Sequence, residues 1–231
     1  GKKLLEEADV VIYAGSLVNP ELLKFCKIGA EVFNSAEMTL EEIVAVAERA
    51  ERLNKTTVRL HTGDPSLYGA IKEQMNEFDK RNISYDICPG VSSMCGAAAA
   101  LKAEFTPAGV SQTVIISRIE GSTPVPEKEN IASLASHNAT MVLFLSAKRT
   151  RALQEELLKG GYLPETPAAI VYKATWPDEK ALRCTVASLA ETAEKSGITK
   201  TALIVVGKFL GEDCERSHLY SPLYSTDFRK A

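Results

Sequence analysis

Three short stretches of this chain gather glycine, proline, hydroxyl and carboxyl side chains where a strand has just ended. Thr62-Gly63-Asp64-Pro65 follows Val58-Arg59-Leu60-His61 without a spacer, inside the run HTGDPSLYGA. The second stretch is Pro89-Gly90-Val91-Ser92-Ser93, and the third Lys173-Ala174-Thr175-Trp176-Pro177-Asp178. Proline lacks an amide donor and holds its φ, while glycine reaches backbone angles closed to other residues, so Gly-Asp-Pro makes a sharp turn of defined shape. In open α/β sheets, turns at strand carboxyl ends are where ligands bind. Small residues, amides and hydroxyls brought to such an edge suit a polar small molecule held by main-chain contacts. Each turn alone is ordinary turn chemistry; the three together point to a cleft.

The motifs that are missing narrow the chemistry. The sequence has no G-x-x-x-x-G-K-[ST] phosphate loop, no G-x-G-x-x-G turn and no G-x-S-x-G elbow, which argues against triphosphate hydrolysis, common dinucleotide binding and a hydrolytic triad. The histidines His61, His137 and His218 lie far apart and the five cysteines form no C-x-x-C pair, so neither a metal site nor a disulfide frame is expected, and the thiols read as reduced. With 27 basic against 30 acidic side chains and a formal charge of -3, no general basic field invites nucleic acid. No leader and no membrane span is expected, and a cytoplasmic location follows as the default reading.

The elements that must position these turns alternate as in an α/β fold. Strands are expected over 9–14, 56–61 and 83–87, with helices between them. Thr39 opens a helix as a capping residue with Glu42 three positions on, and Leu40, Ile43, Val44, Ala47 and Ala50 keep helical spacing. Further helices are expected over 66–78 and 97–103. Around 105–109 proline and glycine interrupt all periodicity, which places a domain boundary there: an N-terminal α/β domain over 1–108 and a C-terminal one over 109–231. The second domain is expected to run strand 113–117, proline-rich loop 121–126, strand 141–145, helix 148–159 closed by Gly160-Gly161, strand 168–172, a segment near 182–185, helix 186–195 and strand 202–206. The polar tail after Gly207 reads as a loosely docked end.

HTGDPSLYGA, CPGVSSMCGAAAA, EGSTPVPE (120–127) and VYKATWPDEK (171–180) together resemble the tetrapyrrole (corrin and porphyrin) methylases. The last two resemble in particular the branch acting at carbon 11 of precorrin-4 in cobalamin biosynthesis. The resemblance implies two α/β domains with the active-site cleft between them, a homodimer, and S-adenosylmethionine bound folded in that cleft. It implies cofactor contacts from Thr62, Gly63, Asp64 and Leu67 in the first turn, Ser92 and Ser93 in the second, and Leu145, Ala174 and Ala202 or Leu203 in the second domain. In that family a strand and a G-x-G-P-G-D-P loop come before the position of Gly1, and the sequence as given is expected to begin after them.

Methyl transfer from a sulfonium to an electron-rich ring carbon needs alignment and exclusion of water more than an activated nucleophile, so no triad is expected. Asp64 and Tyr13 are candidates for a catalytic part; a turn-capping role suits Asp64 equally. Tyr68 and Tyr172 are further candidates for lining the cleft. The polycarboxylate substrate calls for local cations, and His61, Arg118, Lys148, Arg149 and Lys173 lie near expected strand ends where they could supply charge-assisted hydrogen bonds. Nucleic acid and membrane are not expected as partners. Two other readings stay open: a methylase of this fold acting at another ring position, or on rRNA or a protein, and a module that binds tetrapyrrole or cofactor without turnover.

Overall fold

The computed structural model describes residues 1–211 and 214–230. By their contacts the residues fall into two compact units, 1–93 and 94 onward.

The first unit is built on a parallel sheet. After α1 (Lys2–Glu7), strand β1 (Val10–Tyr13) runs between β2 (Glu31–Asn34) and β3 (Thr57–Leu60) in the order β2-β1-β3. Val10, Val11 and Ile12 are fully buried, as expected of a central strand covered on both faces. Side chains alternate along a strand: Val10 and Ile12 pack with Ile43 and Ala50, and Val11 packs with Leu5, Ala8, Val58 and Leu60 on the other face. Ile43 and Ala50 belong to α2 (Leu40–Arg52), which starts at the expected capping box. The Thr39 hydroxyl accepts from the Glu42 amide and the Glu42 carboxylate from the Thr39 amide.

Three expectations give way here. The helix sought over 66–78 is α3 (Ile71–Lys80); before it, Tyr68 and Ala70 take left-handed backbone at φ +57° and +50°, which keeps the chain in a turn until Ile71. No strand forms over 83–87: among the described residues the segment finds no ladder partner, and Ile87 is half exposed. A strand exists only through its neighbour, and alternation alone does not supply one. Conversely β2, for which no strand was expected, gains its identity from pairing with β1.

The second unit opens with α4 (Ser93–Leu101), all but its first residue, followed by β4 (Val114–Arg118), α5 (Ile131–Ala135), β5 (Thr140–Phe144), α6 (Thr150–Lys159), β6 (Pro167–Tyr172), β7 (Lys180–Thr185), α7 (Leu189–Ser196) and β8 (Ala202–Val206). Its five-stranded sheet has the order β4-β5-β8-β6-β7, with β4 and β5 parallel and the other pairings antiparallel. On one face Met141, Leu143, Ile170 and Ile204 pack against α5, α6 and α7. On the other Val142, Val171, Leu203 and Val205 pack against Ala97 and Leu101 of α4, joined by Phe209 and Leu210. The start of the tail is therefore core, which corrects the expectation that everything after Gly207 docks loosely.

Arg183 of β7 fixes α4 in this unit, donating to the carbonyls of Leu101 at 2.8 Å and Leu210 at 2.9 Å. Contacts thus group α4 with the chain that follows it, whereas the proline and glycine signal lies after the helix. Replacing Arg183 by Met leaves two part-buried carbonyls without donors. The expected cost is about 1–3 kcal/mol of unfolding free energy, with faster amide exchange over 99–101 read by hydrogen-exchange mass spectrometry. Unchanged protection there removes this account of how α4 is held.

Candidate functional site

All three strands of the first sheet are parallel, so their carboxyl ends share one edge, and Tyr13, Ser35 and His61 stand along it. Beyond His61 the chain enters the Gly-Asp-Pro turn. Asp64 joins two turns: one carboxylate oxygen accepts from the Ser66 amide and hydroxyl, the other from the Gly90 amide at 2.8 Å. Those donors hold its carboxyl below the usual carboxylate range, the Ser66 hydroxyl first. Gly63 has φ +66°, and a Cβ there would lie 3.2 Å from the Ser93 amide nitrogen. A Cβ on Gly90 would fall 2.0 Å from the Gly63 carbonyl oxygen. Backbones this close admit only glycine at Gly90. The first two sequence candidates, Thr62–Asp64 and Ser92–Ser93, are thus brought together, and the Thr62 hydroxyl donates to the Leu17 carbonyl. Leu67 is half-buried at the same turn.

Arg59 is the residue that sequence reasoning missed. It sits mid-strand between Val58 and Leu60, and its guanidinium donates to the Ile12 carbonyl at 2.8 Å, the Ser35 hydroxyl at 2.8 Å and the Gln74 side-chain carbonyl at 3.1 Å. No carboxylate pairs with it among the described residues. Burial brings its pKa down to about 10, so it stays charged at neutral pH. A charged side chain inside an apolar strand was the available signal. His61, two residues on and on the same face, is held down to about 4 by burial and then by the Arg59 charge. It is neutral at pH 7, and its buried Nε2 has no partner, a deficit costing about 1–3 kcal/mol. His61 therefore does not carry the positive charge expected of it. Tyr13, at the end of β1, lines a hollow of about 550 Å³ with Phe33, Asn34, Glu37 and Met38, on the β2 side of the sheet.

In the second unit β4, β5 and β6 point the same way, antiparallel to β8. Their carboxyl ends and the start of β8 therefore form one edge, which carries Arg118, Leu145, Lys148, Arg149, Lys173, Ala174 and Ala202. Leu145 is 63% exposed and left-handed at φ +52°, an apolar side chain offered to solvent at a strand end. Leu203 is core at 6% exposure, so only its main chain is available at this edge. Arg118 donates to the Thr123 and Pro124 carbonyls and Arg149 to the Glu120 carbonyl, which ties down the proline-rich loop. Lys173 pairs with Asp178 at 2.6 Å, lies 4.9 Å from the Trp176 ring centroid, and is raised above its usual range, Asp178 being the main cause. Lys148 is exposed and forms no ion pair among the described residues. Nor does any group of three His, Cys, Asp or Glu among them stand ready to hold a metal, and no helix is long and apolar enough to cross a membrane.

Comparison with known proteins adds to this geometry. The model of the family of tetrapyrrole (corrin/porphyrin) methylases matches residues 1–190. The cobalt-precorrin-4 C(11)-methyltransferase of Methanocaldococcus jannaschii is 54% identical over 228 residues, spanning 99% of this chain and 87% of its own. The crystal structure of a cobalt-precorrin-4 methyltransferase of cobalamin biosynthesis superposes with a TM-score of 0.89 at 47% identity, covering 91% of this chain and 88% of that one. A uroporphyrin-III C-methyltransferase from Thermus thermophilus, solved with S-adenosylhomocysteine, shares the fold at a TM-score of 0.74 and 24% identity, covering 90% of each chain.

Gly90→Ala must push the two turns of the first unit apart, because its Cβ would overlap the Gly63 carbonyl. The variant should lose about 1–3 kcal/mol of unfolding free energy as the Asp64–Gly90 bond is strained, read by chemical denaturation, while circular dichroism stays that of a folded chain. Acid has a related effect. A carboxyl whose folded pKa is lowered stabilises the fold above its unfolded value, and that contribution disappears as pH falls through the folded value. The amide resonance of Gly90 should therefore keep its shift down to the ordinary carboxylate range and move only below it. Movement near neutral pH rules out Asp64 as its acceptor.

Proposed function

The chain belongs to the tetrapyrrole (corrin/porphyrin) methylase family, and from that premise we propose that it transfers a methyl group from S-adenosylmethionine to carbon 11 of precorrin-4, or its cobalt complex, in cobalamin biosynthesis. The observation that carries the reading is likeness along nearly the whole chain to enzymes of that one reaction, 54% and 45% identical over 99% and 96% of its length. A methyltransferase of the same family acting on uroporphyrinogen-III, from Bacillus subtilis, is only 29% identical, which favours the carbon-11 reaction over another ring position.

The residues present fit the cofactor. S-adenosylmethionine, when bound, supplies an electrophilic methyl group. The locked turns would hold its polar ends through the main chain and hydroxyls of Thr62, Gly63, Asp64, Ser92 and Ser93. Leu67 would meet its apolar surface; for Leu145, Ala174, Ala202 and the main chain of Leu203 in the second unit, a cofactor role rests on family likeness alone. Small side chains let a ligand approach the backbone closely. A fold-sharing methyltransferase was solved with the demethylated form of this donor, which supports the choice.

Alignment and exclusion of water account for such a transfer without a side-chain nucleophile. In this reading Asp64 acts by shaping the turns, and Tyr13, on the β2 side of the sheet, by lining the hollow there. Lys148 is the cation most available to a substrate carboxylate, because Arg118, Arg149 and Lys173 are already engaged within the chain. Location in the cytoplasm, as a homodimer, completes the proposal; the five cysteines as free thiols suit a reducing compartment.

The purified protein, given methyl-labelled S-adenosylmethionine and cobalt-precorrin-4, should yield a product labelled at carbon 11 by NMR. Label at another ring carbon would reassign the regiochemistry, and cofactor binding with no transfer to any tetrapyrrole would make the chain a binding module. In the same assay Lys148→Gln should raise KM about threefold to tenfold with kcat held.

A further inference from the structure

Arg59 and His61 present an unusual pair of deficits on one face of one strand. The Arg59 guanidinium has five N–H groups, of which three are engaged by Ile12, Ser35 and Gln74. One N–H on each terminal nitrogen is left, and the charge is neutralised by no carboxylate among the described residues. His61 makes no hydrogen bond at all among them, and its Nε2 is shut off from solvent. Buried polar groups are nearly always paired, so an unpaired one calls for a reason. The packing supplies none: Gln74 is itself buried and already bonded to Arg59 and to the Ala70 carbonyl. His61 follows β3 at the edge where parallel sheets bind ligands, next to the turn that Asp64 holds, and Arg59 lies two residues before it on the same face.

A group that meets both needs is an acceptor with two oxygens and a negative charge. We propose that Arg59 and His61 form a carboxylate-binding subsite at the carboxyl end of β3. The two free guanidinium N–H groups donate to the anion, and the imidazole Nε2–H, covered in the free chain, joins them when the half-buried ring turns toward the ligand, a charge-assisted arrangement of the kind that recognises carboxylates in a fixed orientation. Two sources of that carboxylate exist within the proposed function, on which the naming of these ligands rests: a side chain of the tetrapyrrole and the amino-acid end of the methyl donor. Because three of its bonds hold β1, the Ser35 turn and α3, Arg59 is a positioned group that cannot follow a misplaced ligand.

The test uses protein labelled with 15N at histidine, in which the three imidazoles are separable and His61→Gln identifies the signal of interest. Titrations are run with succinate, with its uncharged counterpart succinamide, with uroporphyrin III and with S-adenosylhomocysteine. Succinate should shift the His61 ring nitrogens saturably and succinamide should not. Of the two larger ligands, the one whose carboxylate docks here should move the same signal and bind about tenfold more weakly to Arg59→Lys, which keeps the charge but loses the fork, and to His61→Gln. The other should be unaffected by either substitution. No shift of His61 with any carboxylate overturns the subsite, and so does equal affinity of both variants for every ligand. A shift with succinate alone keeps the subsite and counts against the functional reading. Equal thermal melting of wild type and His61→Gln excludes loss of fold as the cause.

Discussion

The site in the first unit depends on one carboxylate. Asp64 accepts from the amide of Gly90 while capping its own turn through Ser66, and so joins two stretches of chain more than twenty residues apart. The backbones touch at this point: no side chain fits on Gly90 beneath the Gly63 carbonyl. Geometry and electrostatics reinforce each other here. Donors gathered around the carboxylate keep it ionised, and the ionised form is the one that accepts from both sides. A proline next to the aspartate limits the conformations the turn must give up on folding.

The two units use the same logic with different sheets. The first is parallel, so every strand delivers its carboxyl end to one edge. The second is mixed, and it delivers β4, β5 and β6 to one edge only because β8 runs the other way between β5 and β6. Cations near those edges divide by what they touch. Arg118 and Arg149 hold a proline-rich loop, Lys173 is paired and lies over aromatic rings, and Arg59 braces three elements. Only a few donors remain for a ligand. A catalyst that works by alignment needs this rigidity more than it needs charge.

Local pattern and long-range pairing agree at some elements of this fold and disagree at others. The α2 helix is written locally, in a capping box and a 3.6-residue apolar stripe, and it forms where those signals say. The segment 83–87 carries an equally plain strand pattern and forms no strand, while 31–34 carries a weak one and pairs with β1. Hydrogen-bonded ladders are made between segments, so the pattern within one segment cannot decide them. Leu145 and Leu203 look alike in sequence as leucines at strand ends, yet one is exposed and the other is core.

By itself the sequence determined the α/β class, the three turns, the family and the residue types that meet at each turn, because turn chemistry and periodicity act over a few residues and glycine and proline leave little choice of backbone. Tertiary structure alone decided that Asp64 reaches Gly90, that Arg59 braces β1 and α3 without a counter-charge, that His61 stays neutral, and that α4 packs with the chain after it. These depend on distance through space and on access of water, which set hydrogen-bond partners and protonation and which no short stretch of residues encodes.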